Sequence, residues 1–291
     1  MPTPDGWFHP SCILELHEGD RLNRSVGVVE LAAGGRRAIA ACAYPSYTPS
    51  GRVRSSTGFQ TLRNNIAAPE PNGWQVSETS YPGNIGQLSA NWLVPSVPFT
   101  STPEVDYYFP GIENAGPTTY IAQPVLAWGY GSAQWTIASW FCCINGNNSH
   151  GQVVAVSPQQ TITGTVTGSG CNSSTGVCST WNVNTVSGSA SSGFNVTAFN
   201  EPMNFEAGGA LESYYVTGCT QYSTDAGVAF TNVTAHDVNG ALLTPIWSEN
   251  VDPGATCYES GSASGGSSAR ITLSWWPANQ PHQTAPTRVV Y

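Results

Sequence analysis

The sequence predicts an all-β protein: an antiparallel β-sandwich of the jelly-roll (concanavalin-like) type, preceded by a small N-terminal segment. From about Gly73 onward, short apolar segments recur at intervals of roughly 8–15 residues, with turn residues between them. After Asn64 no apolar pattern with a helical period reaches the length of a helix. Many short strands separated by turns are typical of sandwiches and jelly rolls.

The N-terminal segment spans residues 1–64, and its sequence pattern differs from that of the main domain, residues 65–291. Two short strands, Ser25–Leu31 and Arg37–Cys42, are predicted to form a hairpin around the AAGG turn. The stretch that follows is rich in Pro, Gly and Ser and is predicted to be a linker. We therefore expect a leader and linker followed by one β-sandwich domain.

The main domain is predicted to be organised around a hairpin between Thr118 and Cys143. Two apolar runs flank the turn Gly129–Ser132, and both are rich in aromatic and β-branched residues. One amide, Gln123, interrupts the first run. An amide inside an apolar strand is costly to bury without a partner, so Gln123 is either a satisfied core residue, a residue on a solvated face, or a functional group.

The other predicted strands follow the same pattern of short apolar runs. They are Leu88–Val94, Val105–Ile112, Val153–Val156, Thr161–Val166, Thr180–Val186, Phe194–Phe199, Ala210–Val216, Val228–Val233, Ala241–Ile246 and Arg270–Trp276.

Composition excludes several classes of function. Charged residues make up 9% of the chain, and its net charge is −9. No apolar run approaches the roughly 20 residues of a membrane span, so we expect no membrane insertion. An acidic chain does not bind nucleic acid by neutralising phosphates. We expect a monomer.

Cysteines and sequons indicate a secreted protein. The cysteine count is eight, which is even, and Asn-x-Ser/Thr sequons occur at Asn23, Asn147, Asn172, Asn195 and Asn232. Together these features favour an oxidising, secretory origin and a glycoprotein. Met1 leads into PTPDGWFHP without an apolar signal region, so we expect that a signal peptide has been omitted from this chain. A protein with free thiols, made in bacteria or in the cytosol, is the alternative.

Disulfide pairing is predicted for some of these cysteines. Cys12 and Cys42 are a natural local pair that would stabilise the segment by roughly 3–4 kcal/mol. The loop between Cys171 and Cys178 is expected to be closed by a bridge, and Cys219 to reach Cys257. Cys142 and Cys143 either form a vicinal bridge or stay apart.

Motifs for a metal site or a serine hydrolase are missing from the sequence. The five histidines form no HxH or HExxH pair, no CxxC occurs, and no GxSxG is present. We therefore expect no metal and no cofactor.

Carboxylates inside apolar strands are the candidates for chemistry. Glu113, Glu206 and Glu212 qualify, and Glu212 lies beside Leu211 and a pair of tyrosines. A carboxyl group against aromatic walls has a raised pKa, which suits it to proton transfer in acid. A glutamate on an edge strand, facing water, is the alternative reading.

The order of these signals resembles that of the glutamic peptidases, the eqolisins, and of their plant relatives, the neprosins. The matching stretches lie between Leu88 and Gly240: LSANWLVPSV, YYFPGIEN, YIAQPVLAWG, QWTIASWF, SPQQTITGTV, ALESYYVTGC and VAFTNVTAHDVNG. The resemblance implies a catalytic glutamine at Gln123 and a catalytic glutamate at Glu212. It also implies a secreted, acid-acting endopeptidase that hydrolyses polypeptides.

Four side chains are expected to contact the substrate of such an enzyme. They are Tyr108, Glu113, Trp128 and Trp140. Gln123 and Glu212 are expected on neighbouring strands, facing one groove.

Two other functions fit the same fold. A glycoside hydrolase or polysaccharide lyase would use two carboxylates, with Glu206 or Glu113 beside Glu212. A glycan-binding module without catalysis would use Trp128, Trp140, Trp275 and Trp276 as platforms.

Charge is split unevenly along the chain. Seven arginines and five acids lie at or before Arg63, whereas two arginines and thirteen acids follow it. This split predicts that residues 1–64 are a propeptide, held over the groove at neutral pH and released in acid after cleavage near Arg52, Arg54 or Arg63. The alternative is that Cys12 and Cys42 fix these residues permanently to the domain.

Overall fold

The computed structural model describes residues 1–49, 51–54, 73–100, 103–114 and 120–276. These residues form 21 strands and two short 3-10 helices, Pro10–Cys12 and Cys219–Gln221, and include no α-helix. The predicted all-β sandwich is confirmed. The predicted domain boundary at residue 64, and Arg63 with it, lie outside the described residues.

Most strands of the main domain are long and apolar, whereas those of the first forty residues are short. In chain order they are β1 (Pro2–Thr3), β2 (Gly6–Trp7), β3 (Ile13–Glu15), β4 (Arg21–Asn23), β5 (Val28–Glu30), β6 (Arg36–Ala38), β7 (Trp74–Ser80), β8 (Ile85–Leu93), β9 (Val105–Glu113), β10 (Ile121–Trp128), β11 (Trp135–Ile144), β12 (Asn147–His150), β13 (Val154–Ala155), β14 (Thr161–Asn172), β15 (Val177–Ser187), β16 (Ala190–Thr197), β17 (Phe205–Tyr214), β18 (Gly227–Asp237), β19 (Ser248–Val251), β20 (Ser260–Ser264) and β21 (Ala269–Ser274).

Two large sheets form the sandwich. The front sheet has the order β19-β7-β17-β9-β10-β11-β12-β3, with β13 also paired to β11. The back sheet has the order β20-β21-β18-β8-β14-β15-β16-β4-β5-β6. Neighbouring strands are antiparallel except for β3 beside β12 and β4 beside β16. The predicted hairpin around Gly129–Ser132 is confirmed as β10 and β11.

The central strands of the front sheet are buried on both faces. Along β10, Ala122 and Leu126 point into the core between the sheets, whereas Ile121 and Val125 belong to a second apolar cluster on the outer face. Alternation of side chains across a strand explains this division. Burial on both faces explains why β10 is an apolar run rather than an alternating one.

The N-terminal residues extend both sheets. β3 pairs with β12 in the front sheet, and β4 pairs with β16 in the back sheet, where β5 and β6 continue the order. The predicted hairpin of this segment is confirmed as β5 and β6, both shorter than expected.

The predicted disulfides are confirmed. Bonds join Cys12 to Cys42, Cys171 to Cys178 and Cys219 to Cys257. The sequence left open whether the adjacent Cys142 and Cys143 bond to each other or stay apart, and in the structure they form a vicinal bond.

Some strand predictions were wrong. Ala241–Ile246 is not a strand, and only an isolated bridge joins Leu242 to His236. β7 and β12 were missed because their sequences, WQVSETS and NNSH, are polar, although both are almost entirely buried. Their burial comes from neighbouring chain segments, which the local pattern does not record. No helix among the described residues is long and apolar enough to cross a membrane.

Candidate active site

A groove on the outer face of the front sheet is filled by the first eight residues of the chain. β1 and β2 form a small hairpin, hereafter the N-terminal hairpin (residues 1–8), with Pro4 and Asp5 at its turn. Trp7 and Phe8 join the outer apolar cluster of the front sheet, and their side chains are 4% and 2% exposed. Trp7 packs edge-on against Tyr214, with ring centroids 5.1 Å apart.

Gln123 points into this groove from β10. Side chains two residues apart on a strand point to the same face, and Ile121 and Val125, on either side of Gln123, belong to the outer cluster. The Gln123 side chain is fully buried. Its Nε2 atom donates to the main-chain oxygen of Pro4 at 3.2 Å, while Oε1 has no hydrogen-bond partner among the described residues. The amide therefore binds a peptide carbonyl of the N-terminal hairpin. The next residue, Pro124, lies on the other face, against the back sheet at Gly164.

Glu212 points into the same groove from β17. It lies between Ala210 and Tyr214, both of the outer cluster, and is fully buried. The Tyr214 hydroxyl donates to Glu212 Oε1, and Oε2 has no partner among the described residues. Burial raises the pKa of Glu212 well above its usual range; the Tyr214 hydrogen bond lowers it and the nearby Asp5 carboxyl raises it.

Gln123 and Glu212 share a face, but not neighbouring strands. β9 lies between β10 and β17, so the expectation of adjacent strands was wrong. Glu212 pairs with Tyr107, whereas the register of β10 brings Gln123 opposite Gly111, four residues further along β9. That offset is roughly 13 Å at the usual rise of a strand. The turn of the N-terminal hairpin lies in this interval.

Glu113 is the groove carboxyl nearest to Gln123 in register. It is half-buried at the end of β9 and pairs with Ile121, two residues before Gln123. Diagonal neighbours of this kind lie roughly 7–8 Å apart. Burial raises the pKa of Glu113 to about 8; Asp5 adds to the rise and Arg54 opposes it. The sequence analysis expected Glu113 to contact the substrate, and that role stays a prediction.

Two further groove residues, Asp5 and Asn148, were missed by the sequence analysis. The Asn148 amide donates to Thr3 Oγ1 at 2.9 Å and to Asp5 Oδ2 at 2.7 Å. Its own oxygen accepts from the Ser149 N–H at 2.9 Å, which orients the NH2 group toward the hairpin. Burial raises the pKa of Asp5 to about 7, against the opposing effects of Arg54 and Asn148. Both residues lie in polar stretches of the sequence, without the flanking apolar residues that make Gln123 and Glu212 stand out.

The predicted aromatic walls divide between the two faces of the sheet. Trp140 belongs to the outer cluster and lines the groove. Tyr108 and Trp128 belong to the core between the sheets, so a ligand in the groove does not contact them, and their assignment as substrate contacts is corrected. Tyr107, next to Tyr108 on β9, lines the groove instead, and its hydroxyl donates to the Pro2 oxygen at 3.1 Å.

The remaining candidates lie away from the groove. Glu206 pairs with Ile112, a residue of the core, and therefore faces the back sheet. Trp275 is 3% exposed and Trp276 is half-buried. Arg54, expected at an exposed cleavage point, is half-buried and donates to the Asp5 main-chain oxygen, whereas Arg52 is exposed. No group of three or more metal-ligating side chains occurs among the described residues.

Of three comparisons with known proteins, only the search of solved structures finds similar proteins. A scan against known protein families finds no match. A search of curated proteins finds none either. Among solved structures, the chain is similar to scytalido-glutamic peptidase with a transition-state analogue inhibitor, at 15% identity and a TM-score of 0.48 over 70% of this chain and 98% of that one.

Two more structures give closely similar values. One is scytalido-glutamic peptidase with a peptide-based transition-state analogue, and the other is SCP-B, a member of the eqolisin family, in complex with the tripeptide Ala-Ile-His. Each is 14% identical, with a TM-score of 0.46 over 70% of this chain and 98% of that one. At these values the likeness carries no argument about chemistry, so the function is argued from the residues of this chain.

Proposed function

We propose that the protein is a secreted, acid-acting peptidase that hydrolyses peptide bonds with Gln123, Glu212 and a water molecule. One observation carries the proposal: the Gln123 amide donates to a main-chain carbonyl, that of Pro4, inside a groove lined by carboxyl groups. The groove thus binds a main-chain carbonyl through an amide N–H, the same kind of hydrogen bond that stabilises the carbonyl oxygen during acyl transfer.

The chemistry divides between an amide and a carboxyl group. A groove carboxylate, at Glu212 or at Glu113, which lies closer to Gln123 in register, takes a proton from water as the water oxygen bonds to the carbonyl carbon. The Gln123 N–H stabilises the negative oxygen of the tetrahedral intermediate. The same carboxyl group then returns the proton to the leaving nitrogen as the C–N bond breaks. The Tyr214 hydroxyl fixes the orientation of the Glu212 carboxyl group.

The seated N-terminal hairpin blocks this reaction. Pro4 and Asp5 occupy the groove between Gln123 and Glu212, so the hairpin has to move before a substrate enters. Glu113 is the other carboxyl group able to take the role of the base, because its register brings it closer to Gln123.

A glycoside hydrolase is the second candidate function, but the register does not favour it. Glu113 and Glu212 face the same groove, yet Glu212 pairs with Tyr107, six residues from Glu113 along β9, so the two side chains are offset by roughly 20 Å, about twice the separation that glycosidases use. The binding module has less support, because Trp128, Trp140 and Trp275 are at most 5% exposed and offer no platforms.

Secretion and a monomeric state belong to the same proposal. Four disulfide bonds occur among the described residues, which fits an oxidising compartment.

Gln123→Leu tests the proposal. Loss of one oxyanion donor costs about 3–4 kcal/mol, so we expect kcat to fall by about 10²–10³ with little change in KM. The matched control is Gln87→Leu, which replaces a half-buried amide of the back sheet. Peptide cleavage is followed by mass spectrometry, and an unchanged kcat in the Gln123 variant would remove this residue from the mechanism.

A further inference from the structure

A small cleft of about 270 Å³ lies on the outer face of the back sheet, with β15 and β16 as its floor. Val183 belongs to the core between the sheets, so its neighbours on β15, Asn182 and Asn184, point outward into the cleft. Glu18, from the loop before β4, and Gln152, from the loop after β12, complete its walls. The cleft is separate from the groove, which lies on the outer face of the front sheet.

The cleft is open because the back sheet is incomplete at this point. β4 pairs with β16 only from Asn195 to Thr197, so the earlier residues of β16 have no neighbouring strand on that side among the described residues. Gly193 pairs with Asn184 on the floor, and a Cβ atom at Gly193 would come within 2.8 Å of Asn184 Oδ1. Any other residue at this position would therefore displace the amide that lines the cleft.

The lining suits a small, neutral ligand that carries several hydroxyl groups. Most of its polar side chains are amides, and an amide both donates and accepts hydrogen bonds, as hydroxyl groups require. The Asn184 side chain is half-buried and makes no hydrogen bond among the described residues, so it is available to a ligand. No Arg, Lys or His is among the described residues that line the cleft, which argues against an anion. The volume is just below the roughly 300–1,000 Å³ of pockets for drug-sized ligands, and it accommodates a single sugar.

Asn195 lines the cleft and is the first residue of a sequon, Asn195-Val196-Thr197. Its Oδ1 atom accepts from Asn182 Nδ2 at 3.2 Å, which fixes the orientation of the amide. The Nδ2 atom of Asn195 has no hydrogen-bond partner among the described residues, and this is the atom that bonds to sugar in N-linked glycosylation. The attachment atom of this sequon is therefore free, beside a cleft of the size of one sugar.

Asn147, which also begins a sequon, shows the opposite arrangement. Its Nδ2 atom donates to the main-chain oxygens of Ala40, Ile144 and Asn145 at 2.9, 3.2 and 3.2 Å, and the residue is 3% exposed. A sugar on this nitrogen would replace one of its two hydrogens and would need space that the fold does not leave. The structure thus distinguishes two sequons that the sequence presents alike.

We propose that Asn195 carries an N-linked glycan and that the cleft holds its first sugar, an N-acetylhexosamine. Asn195 Nδ2 bonds to the anomeric carbon of an oligosaccharide carried on a lipid pyrophosphate. The bond from that carbon to the pyrophosphate oxygen breaks, and Nδ2 loses one proton. Asn184 and Gln152 then form hydrogen bonds to the polar groups of the sugar. This rests on the secretion that belongs to the proposed function and not on peptide hydrolysis.

Site-by-site mapping of the glycans tests the attachment. The full chain is expressed in eukaryotic cells behind a cleavable secretion signal, and both the secreted and the cell-retained protein are collected. An amidase that removes N-glycans in heavy-oxygen water converts each modified Asn to a labelled Asp, which mass spectrometry locates. We expect occupancy of Asn195 in the secreted protein to be at least about tenfold higher than that of Asn147, because a chain with a sugar on the buried nitrogen does not fold. Thr197→Ala destroys the sequon and should abolish the label at Asn195.

The rate of glycan removal from the folded protein tests the place of the sugar in the cleft. Asn184→Ala removes one hydrogen bond to the sugar, so we expect the amidase to release the Asn195 glycan about fivefold faster than from the wild type. Asn239→Ala, in an exposed turn, should match the wild type.

Two results would overturn the proposal. An Asn195 without glycan in both fractions would remove the attachment site, and equal rates of release from the wild type and Asn184→Ala would remove the sugar from the cleft. Neither result depends on catalysis, so a glycan at Asn195 on a chain without peptidase activity would count against the proposed peptidase alone.

Discussion

Glu212→Gln should abolish peptide hydrolysis, with kcat at least about 10³-fold lower than that of the wild type, while the fold is retained. An amide of the same shape cannot take the proton from water. It can still pair with the Tyr214 hydroxyl, and it fills the same buried space, so the strand keeps its packing. The measurement is peptide cleavage by the variant and the wild type, beside a thermal unfolding scan.

Two matched variants make this result specific. Glu206→Gln changes a buried carboxyl group on the same strand that faces the back sheet, and it should leave activity unchanged. Glu113→Gln changes the other groove carboxyl. If Glu113→Gln is inactive and Glu212→Gln is active, Glu113 is the base and the assignment of Glu212 is wrong.

Trp7→Ala should raise peptidase activity in acid by about tenfold or more. The Trp7 ring packs edge-on against Tyr214 and Tyr215 at 5.1 and 5.2 Å, and it holds the N-terminal hairpin in the groove. Removal of a buried tryptophan side chain costs about 3–5 kcal/mol, which corresponds to a shift of more than 10² in the equilibrium between seated and open states. The rate of peptide cleavage at about pH 4 measures the effect.

Tyr81→Ala is the control for this variant. Tyr81 is 70% exposed beside Phe205, away from the hairpin, so its removal should not change activity. Equal activity of Trp7→Ala and wild type, at equal stability, would show that the hairpin does not limit access to the groove.

The fold was predictable from sequence because its signal is local. β10 and β11 are apolar runs around a glycine turn, and three of the four disulfides join cysteines that the spacing had paired. β7 and β12 were missed because their burial comes from distant segments. The burial of β12 depends partly on the N-terminal hairpin, because Asn148 on β12 contacts Asp5 of the hairpin.

The site was predictable only in part. Gln123 and Glu212 stand out as polar residues in apolar strands, and the structure brings them to one face. Tyr107 and Tyr108 are neighbours on β9, so their side chains point to opposite faces of the sheet and only one of them lines the groove. No local sequence pattern shows which face of the sheet carries the groove. Asp5 lies more than a hundred residues from Gln123 in the sequence, so only the folded chain brings its carboxyl group to the groove.

Digestion at about pH 4 tests the central claim, a peptidase site at Gln123 and Glu212, most directly. The wild type and Trp7→Ala are each incubated with denatured casein and with a panel of polysaccharides, and new peptide termini and new reducing ends are measured. We predict new peptide termini, more of them with Trp7→Ala, and none when Glu212→Gln is added to it. Intact casein together with depolymerised polysaccharide would contradict the account and identify the groove as a glycan-cleaving site.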